Sequence, residues 1–138
     1  MAVLEIQDQL LLRELTASFP AERESPGRAR RLAACELRRW GYDEELVDEA
    51  ALVLSELASN AVVHAGSPFT ISIRSRDSLL RIAVRDECPV PDGPDGDSGL
   101  AVRAPHGLAV IQALATQWGL QDTPDGKGKI VWAELHIA

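Results

Sequence analysis

The chain has 138 residues, 46% of them hydrophobic and 25% charged, with a formal net charge of -7. That length suits one domain with a real core, and the acidic balance disfavours nucleic acid as the main partner, since phosphate binding needs a basic face. No apolar run is long enough to span a membrane; the acidic start MAVLEIQDQL is unlike a signal peptide, and Cys35 and Cys88, at no metal-ligand spacing, read as free thiols of a cytoplasmic protein.

Residues 1–9 are weakly patterned and read as a mobile arm ahead of a single domain over 10–138. Residues 10–19 read as a strand. Ser25-Pro26 offers a hydroxyl N-cap and a proline at the first helical position. Ala29, Leu32, Ala33, Leu37 and Trp40 then recur at helical spacing, and Gly41 stops the helix. This helix carries Arg28, Arg30, Arg31, Arg38 and Arg39. They are either a solvated face or a docking surface for an acidic protein partner.

Asp43 caps a second helix, with Glu44, Glu45 and Asp48 near its positive end. Its apolar stripe is Leu46, Ala50, Val53, Leu54, Leu57 and Ala61. Glu56, Asn60 and His64 are four apart. At about 100° per residue their line drifts towards the stripe, which places Glu56 at its margin, Asn60 just inside and His64 well inside. Buried polar groups need partners, since each unpaired one costs about 1–3 kcal/mol. One such group is usually a satisfied core residue; three on one line point to a site.

Phe69, Ile71 and Ile73 alternate with polar residues in a strand, and Leu80, Ile82 and Val84 do so in the next. Period two puts Asp86 on the same inward row, so that row ends in a carboxylate. Residues 88–105, with four prolines, three glycines and three aspartates, have no periodicity and read as a lid. The lid empties into His106-Gly107-Leu108, which opens a third helix sharing Leu108, Ile111, Leu114, Ala115 and Trp118 on one face. Free N–H groups and the helix dipole make that start a ready anion site, and Gly107 lets an anion approach. A short strand near 118–121, a Thr123-Pro124-Asp125-Gly126 turn and a strand over 129–137, with Val131, Ala133, Leu135 and Ile137 on one face, complete the chain. The fold class is α+β: a two-layer α/β sandwich whose mixed, mostly antiparallel sheet is covered on one face by three helices.

From about Phe19 onward these features resemble the GHKL (Bergerat-type) ATP-binding fold, and within it the small bacterial anti-sigma factors that are serine-protein kinases. Glu56-Leu57-Ala58-Ser59-Asn60 matches the family's N box, Asp86 its strand-ending aspartate and Gly107-Leu108 its post-lid pair; the ending Gly126-Lys127-Gly128-Lys129-Ile130-Val131 is similar too. The resemblance implies ATP and Mg²⁺ as cofactors, Glu56 as general base, Asn60 as metal ligand and Asp86 as acceptor for the adenine amine. Cys88, His64, His106, Gly107, Leu108 and Lys129 would complete the nucleotide site. Cys88 stands where the family has a glycine, and Pro105-His106 where it has another. The implied partners are an anti-anti-sigma protein as substrate and a sigma factor as captive, with a homodimer left open and no membrane or direct nucleic-acid contact. Two alternatives stand beside phosphotransfer: a nucleotide-binding interaction module without turnover, and a regulator whose pocket has degenerated. A histidine autokinase is disfavoured, because no dimerisation helix pair precedes the domain.

Overall fold

The structure is a computed structural model and describes residues 13–88 and 105–137. The expected arm and nearly all of the expected lid lie outside the described residues. Five strands, β1 (Arg13–Phe19), β2 (Phe69–Arg76), β3 (Leu79–Asp86), β4 (Gln117–Asp122) and β5 (Lys129–His136), form one sheet in the order β1-β2-β3-β5-β4. Every described pairing is antiparallel, so the sheet expected to be mixed has no parallel pair among these strands. Helices α1 (Ser25–Arg39), α2 (Glu44–Ser59) and α3 (Pro105–Leu114) share a single hydrophobic core with one face of the sheet.

The inward rows follow the period-two pattern. Ile71 and Ile73 on β2, Leu80 and Ile82 on β3, and Ala133 on β5 are wholly buried beneath Leu54, Leu57 and Val53 of α2. Each of these isoleucines and leucines contributes about 1.5–3 kcal/mol by leaving water. α2 is the central helix: it packs on α1, on α3 and on β3. Its start is fixed as the sequence suggests, with Asp43 Oδ1 accepting from the Leu46 amide at 2.9 Å.

Three local readings are corrected. Ser25 does not cap α1; it lies inside the helix, buried, with its Oγ unpartnered among the described residues, and Glu24 precedes it without a side-chain cap. α3 ends at Leu114, so Trp118 belongs to β4 rather than to the helix face. The antiparallel pairing of β4 with β5 claims it, with Trp118 opposite Ala133. The third concerns His64 and is described with the site.

α1 stops where expected. Gly41 sits at φ +92° and donates to the Arg38 carbonyl, while Tyr42 donates to that of Leu37. This paired closure needs a left-handed residue, which glycine adopts freely. Nothing lies within 4 Å of a Cβ built at Gly41. Gly41→Ala should therefore lose about 1 kcal/mol from backbone strain alone, read as a lower urea midpoint with unchanged slope.

Candidate functional site

The α-helical geometry of α2 ends at Ser59, and Asn60–His64 form one π-helical turn. The Ala65 amide donates to the Asn60 carbonyl, five residues back, and Gly66 at φ +59° then turns the chain. Such a widened turn inside a helix recurs at functional sites. It also advances less per residue than an α-turn, which cancels the expected inward drift. Asn60 is buried at 9% exposure, Glu56 one turn earlier is half-buried, and His64 is exposed rather than deep in the apolar stripe. Asn60 Nδ2 is a buried donor with no acceptor among the described residues.

The π turn packs against β3, whose inward row ends in Asp86 at 4% exposure. The chain leaving the helix is tied to this strand end. Ser67 Oγ accepts from the Glu87 amide at 2.8 Å and donates to the Pro68 carbonyl at 2.6 Å. The helix end bearing Asn60 and the strand end bearing Asp86 are thus held together on the helix-covered side of the sheet.

Asp86 is not a bare carboxylate. Oδ1 accepts from the Cys88 amide at 2.9 Å, and Oδ2 meets Lys129 Nζ at 2.8 Å. Lys129 is its direct neighbour across the β3–β5 ladder, on the same inward row as Val131 and Ala133. Both side chains are nearly closed off from water, and Lys129 Nζ also reaches the Cys88 carbonyl at 3.4 Å. Sequence reasoning placed Lys129 in the site by resemblance and missed this pairing. The signal was available: extending the β5 row Leu135, Ala133, Val131 one step back gives Lys129. Cys88 is a half-buried free thiol.

The turn before Lys129 is closely built. Gly128 donates to Thr123 Oγ1 at 3.0 Å, Lys127 to Asp125 Oδ1 at 2.9 Å, and Thr123 Oγ1 to the same oxygen at 2.5 Å. The Thr123 hydroxyl first, then the Lys127 amide and the Arg85 charge, hold the Asp125 carboxyl below its ordinary range. The sign follows. A depressed carboxylate pKa adds stability above the unfolded value near 3.9, and that contribution fades as pH falls through the lower folded value. Asp125→Asn should flatten the acid limb of the stability curve below about pH 4, measured by urea unfolding across pH.

Gly128 passes so close to β3 that a Cβ there would collide with the Asp86 carbonyl oxygen. A cavity of about 370 Å³ lies beside this junction, lined by Arg85, Asp86, Glu87, Asp125, Lys127 and Gly128. Asp86 also lines one of about 240 Å³ with Phe19, Pro68 and Phe69.

α3 is described from Pro105, and His106, Gly107 and Leu108 lie in its first described turn. Their side chains lie outside the described residues. Among the described residues no group of three or more His, Cys, Asp and Glu gathers to hold a metal. A Mg²⁺ site built from one or two protein oxygens and substrate phosphates needs no such cage.

A family model of the histidine kinase-like ATPase domain matches residues 19–135, and the chain belongs to that family. It is thereby a member of a nucleotide-binding group. Among solved structures, the crystal structure of the RsbU and RsbW domains of Rv1364c from Mycobacterium tuberculosis is similar, with a TM-score of 0.68 at 17% identity over 91% of this chain. The chain spans 33% of that longer one, and likeness at this identity bears on the fold alone. No curated protein matches. Among the described residues, no helix is long and apolar enough to cross a membrane.

Proposed function

We propose that the protein binds Mg-ATP between α2 and the Asp86 end of β3, and transfers the terminal phosphoryl group to a serine or threonine of a small regulatory protein. The observation that supports this most is Asn60: a buried amide whose donor is unpaired among the described residues, on a π turn beside a strand that ends in a buried carboxylate. A phosphate oxygen would supply an acceptor for that donor, and the amide oxygen would be a hard ligand suited to Mg²⁺. When bound, Mg-ATP supplies the phosphoryl group and the neutralising cation.

The chain's own residues have the remaining tasks. The His106, Gly107 and Leu108 amides would hold anionic oxygens at the start of α3. Glu56, one helical turn before Asn60, would orient the attacking hydroxyl and take its proton as oxygen bonds to phosphorus and ADP leaves. Phosphoryl transfer asks for little else beyond position and charge. Cys88 and Lys129 close the base end around Asp86, and His64 stands exposed at the end of the π turn. The partner classes in this reading are an anti-anti-sigma protein as substrate and a sigma factor as captive. Incubation with labelled ATP and the cognate substrate protein should label that protein; label that never leaves the nucleotide would rule out the kinase reading.

A second reading, a nucleotide-set interaction module without turnover, draws on α1. Its arginines are all exposed. Arg28 pairs with Glu22, Arg38 with Glu44 and Arg39 with Glu36, whereas Arg30 and Arg31 have no ion pair among the described residues. An acidic partner would find its free positive charge there. Arg30→Glu with Arg31→Glu should weaken partner capture roughly tenfold or more at low salt, with the difference shrinking as ionic strength rises; a salt-independent effect would contradict a charge-steered interface.

A further inference from the structure

The base end of the proposed site holds a donor and an acceptor together. A lone buried carboxylate is acceptor-only. Facing the 6-position of a purine, it suits adenine, whose exocyclic amine donates, and opposes guanine, whose O6 accepts. Here the Asp86 carboxylate is bound by the Lys129 ammonium at 2.8 Å, both side chains being more than nine-tenths buried. The ammonium has three N–H groups: one meets Asp86, a second reaches the Cys88 carbonyl at 3.4 Å, and a third remains. The carboxylate accepts one backbone N–H and the ammonium, which leaves about half of its four lone-pair positions.

We infer that Lys129 is the residue that sets base selectivity, and that it opens the site to 6-oxopurine nucleotides such as GTP as well as to ATP. The inference rests on the reading that the purine sits at Asp86. A guanine O6 would accept from the spare Lys129 N–H, while its N1–H or 2-amino group donates to Asp86. Adenine is also served, its amine by Asp86 and its N1 by Lys129. The ammonium cancels the repulsion that a bare carboxylate directs at O6, and the neutralised carboxylate is a weaker acceptor for the adenine amine. Discrimination between the two purines therefore falls. Gly128 fixes the pair's depth, since its backbone lies against the Asp86 carbonyl with no room for a side chain.

The test is calorimetric titration of the full chain with Mg-ATP and Mg-GTP, and of Lys129→Met with both. One charge-assisted hydrogen bond set against one like-facing acceptor corresponds to about 10- to 100-fold in affinity. Wild type should bind GTP within about tenfold of ATP, and Lys129→Met should favour ATP by a further 10- to 100-fold. The wild-type ratio decides the matter even if the variant fails to fold. A wild type that prefers ATP by more than about tenfold overturns the inference and leaves the nucleotide site standing, as does a variant with an unchanged ratio. Binding of neither nucleotide overturns the site reading itself and the inference with it.

Discussion

Glu56→Ala is expected to lower phosphotransfer to the substrate protein by about 10²- to 10⁴-fold, the usual contribution of one positioned acid–base group. Glu56 is half-buried on the last α-helical turn before Asn60, so truncation leaves no large cavity and removes no member of the core. Stability should change by less than about 1 kcal/mol, and Mg-ATP affinity by no more than a few-fold. This pairing of outcomes separates a base from a structural carboxylate. Glu56→Gln keeps size and hydrogen bonding but cannot take a proton, so it should be nearly as slow as alanine. Transfer by Glu56→Gln at close to the wild-type rate would assign the residue to positioning, and equal transfer by alanine would remove it from the chemistry.

The second large effect is on stability. Lys129→Ala leaves Asp86 charged and buried at 4% exposure without its partner, and should cost about 3–5 kcal/mol. Asp86→Ala strands the lysine and should cost about as much. Removing both together, as Asp86→Leu with Lys129→Leu, exchanges two desolvated charges for apolar packing beneath α2, and the double variant should recover most of the loss. Denaturant unfolding of Asp86→Leu, of Lys129→Leu and of their combination closes the cycle. Near-additive losses in the double variant would mean that the two charges do not depend on one another, contrary to their 2.8 Å contact. The same double variant should bind no nucleotide, because it has lost the groups proposed to read the base. Stability and binding are thereby separable at one pair of residues.

Much of this was legible from residue order. Alternation in Leu80, Ile82 and Val84 carries through to Asp86 without a break, because a strand's side-chain period is two regardless of what it pairs with. Asp43 and Gly41 declared their caps through chemistry confined to a few adjacent residues. What failed to show had causes outside the local pattern. The π turn at Asn60–His64 breaks the constant 100° step on which helical phasing depends, and it is the reason His64 faces water while Asn60 does not. Trp118 fits a helical stripe by spacing, yet β5 offers it a ladder partner, a choice made by tertiary pairing. Ser25 carries the chemistry of a cap but lies inside the helix, its hydroxyl buried. The Asp86–Lys129 pair joins residues on two strands that pair only once the whole sheet is assembled. The matched family, spanning residues 19–135, ties these parts to a nucleotide-binding fold but does not by itself assign the buried amide its task.

That task is open to direct measurement. Asn60→Ala removes a buried donor that has no acceptor among the described residues, so the ligand-free protein should unfold no more readily than wild type. Thermal unfolding in Mg-ATP at about 100 times its Kd should stabilise wild type by about 2.7 kcal/mol, and Asn60→Ala should show almost none of that gain. Equal stabilisation of both proteins, or none of wild type at millimolar nucleotide, would contradict the account.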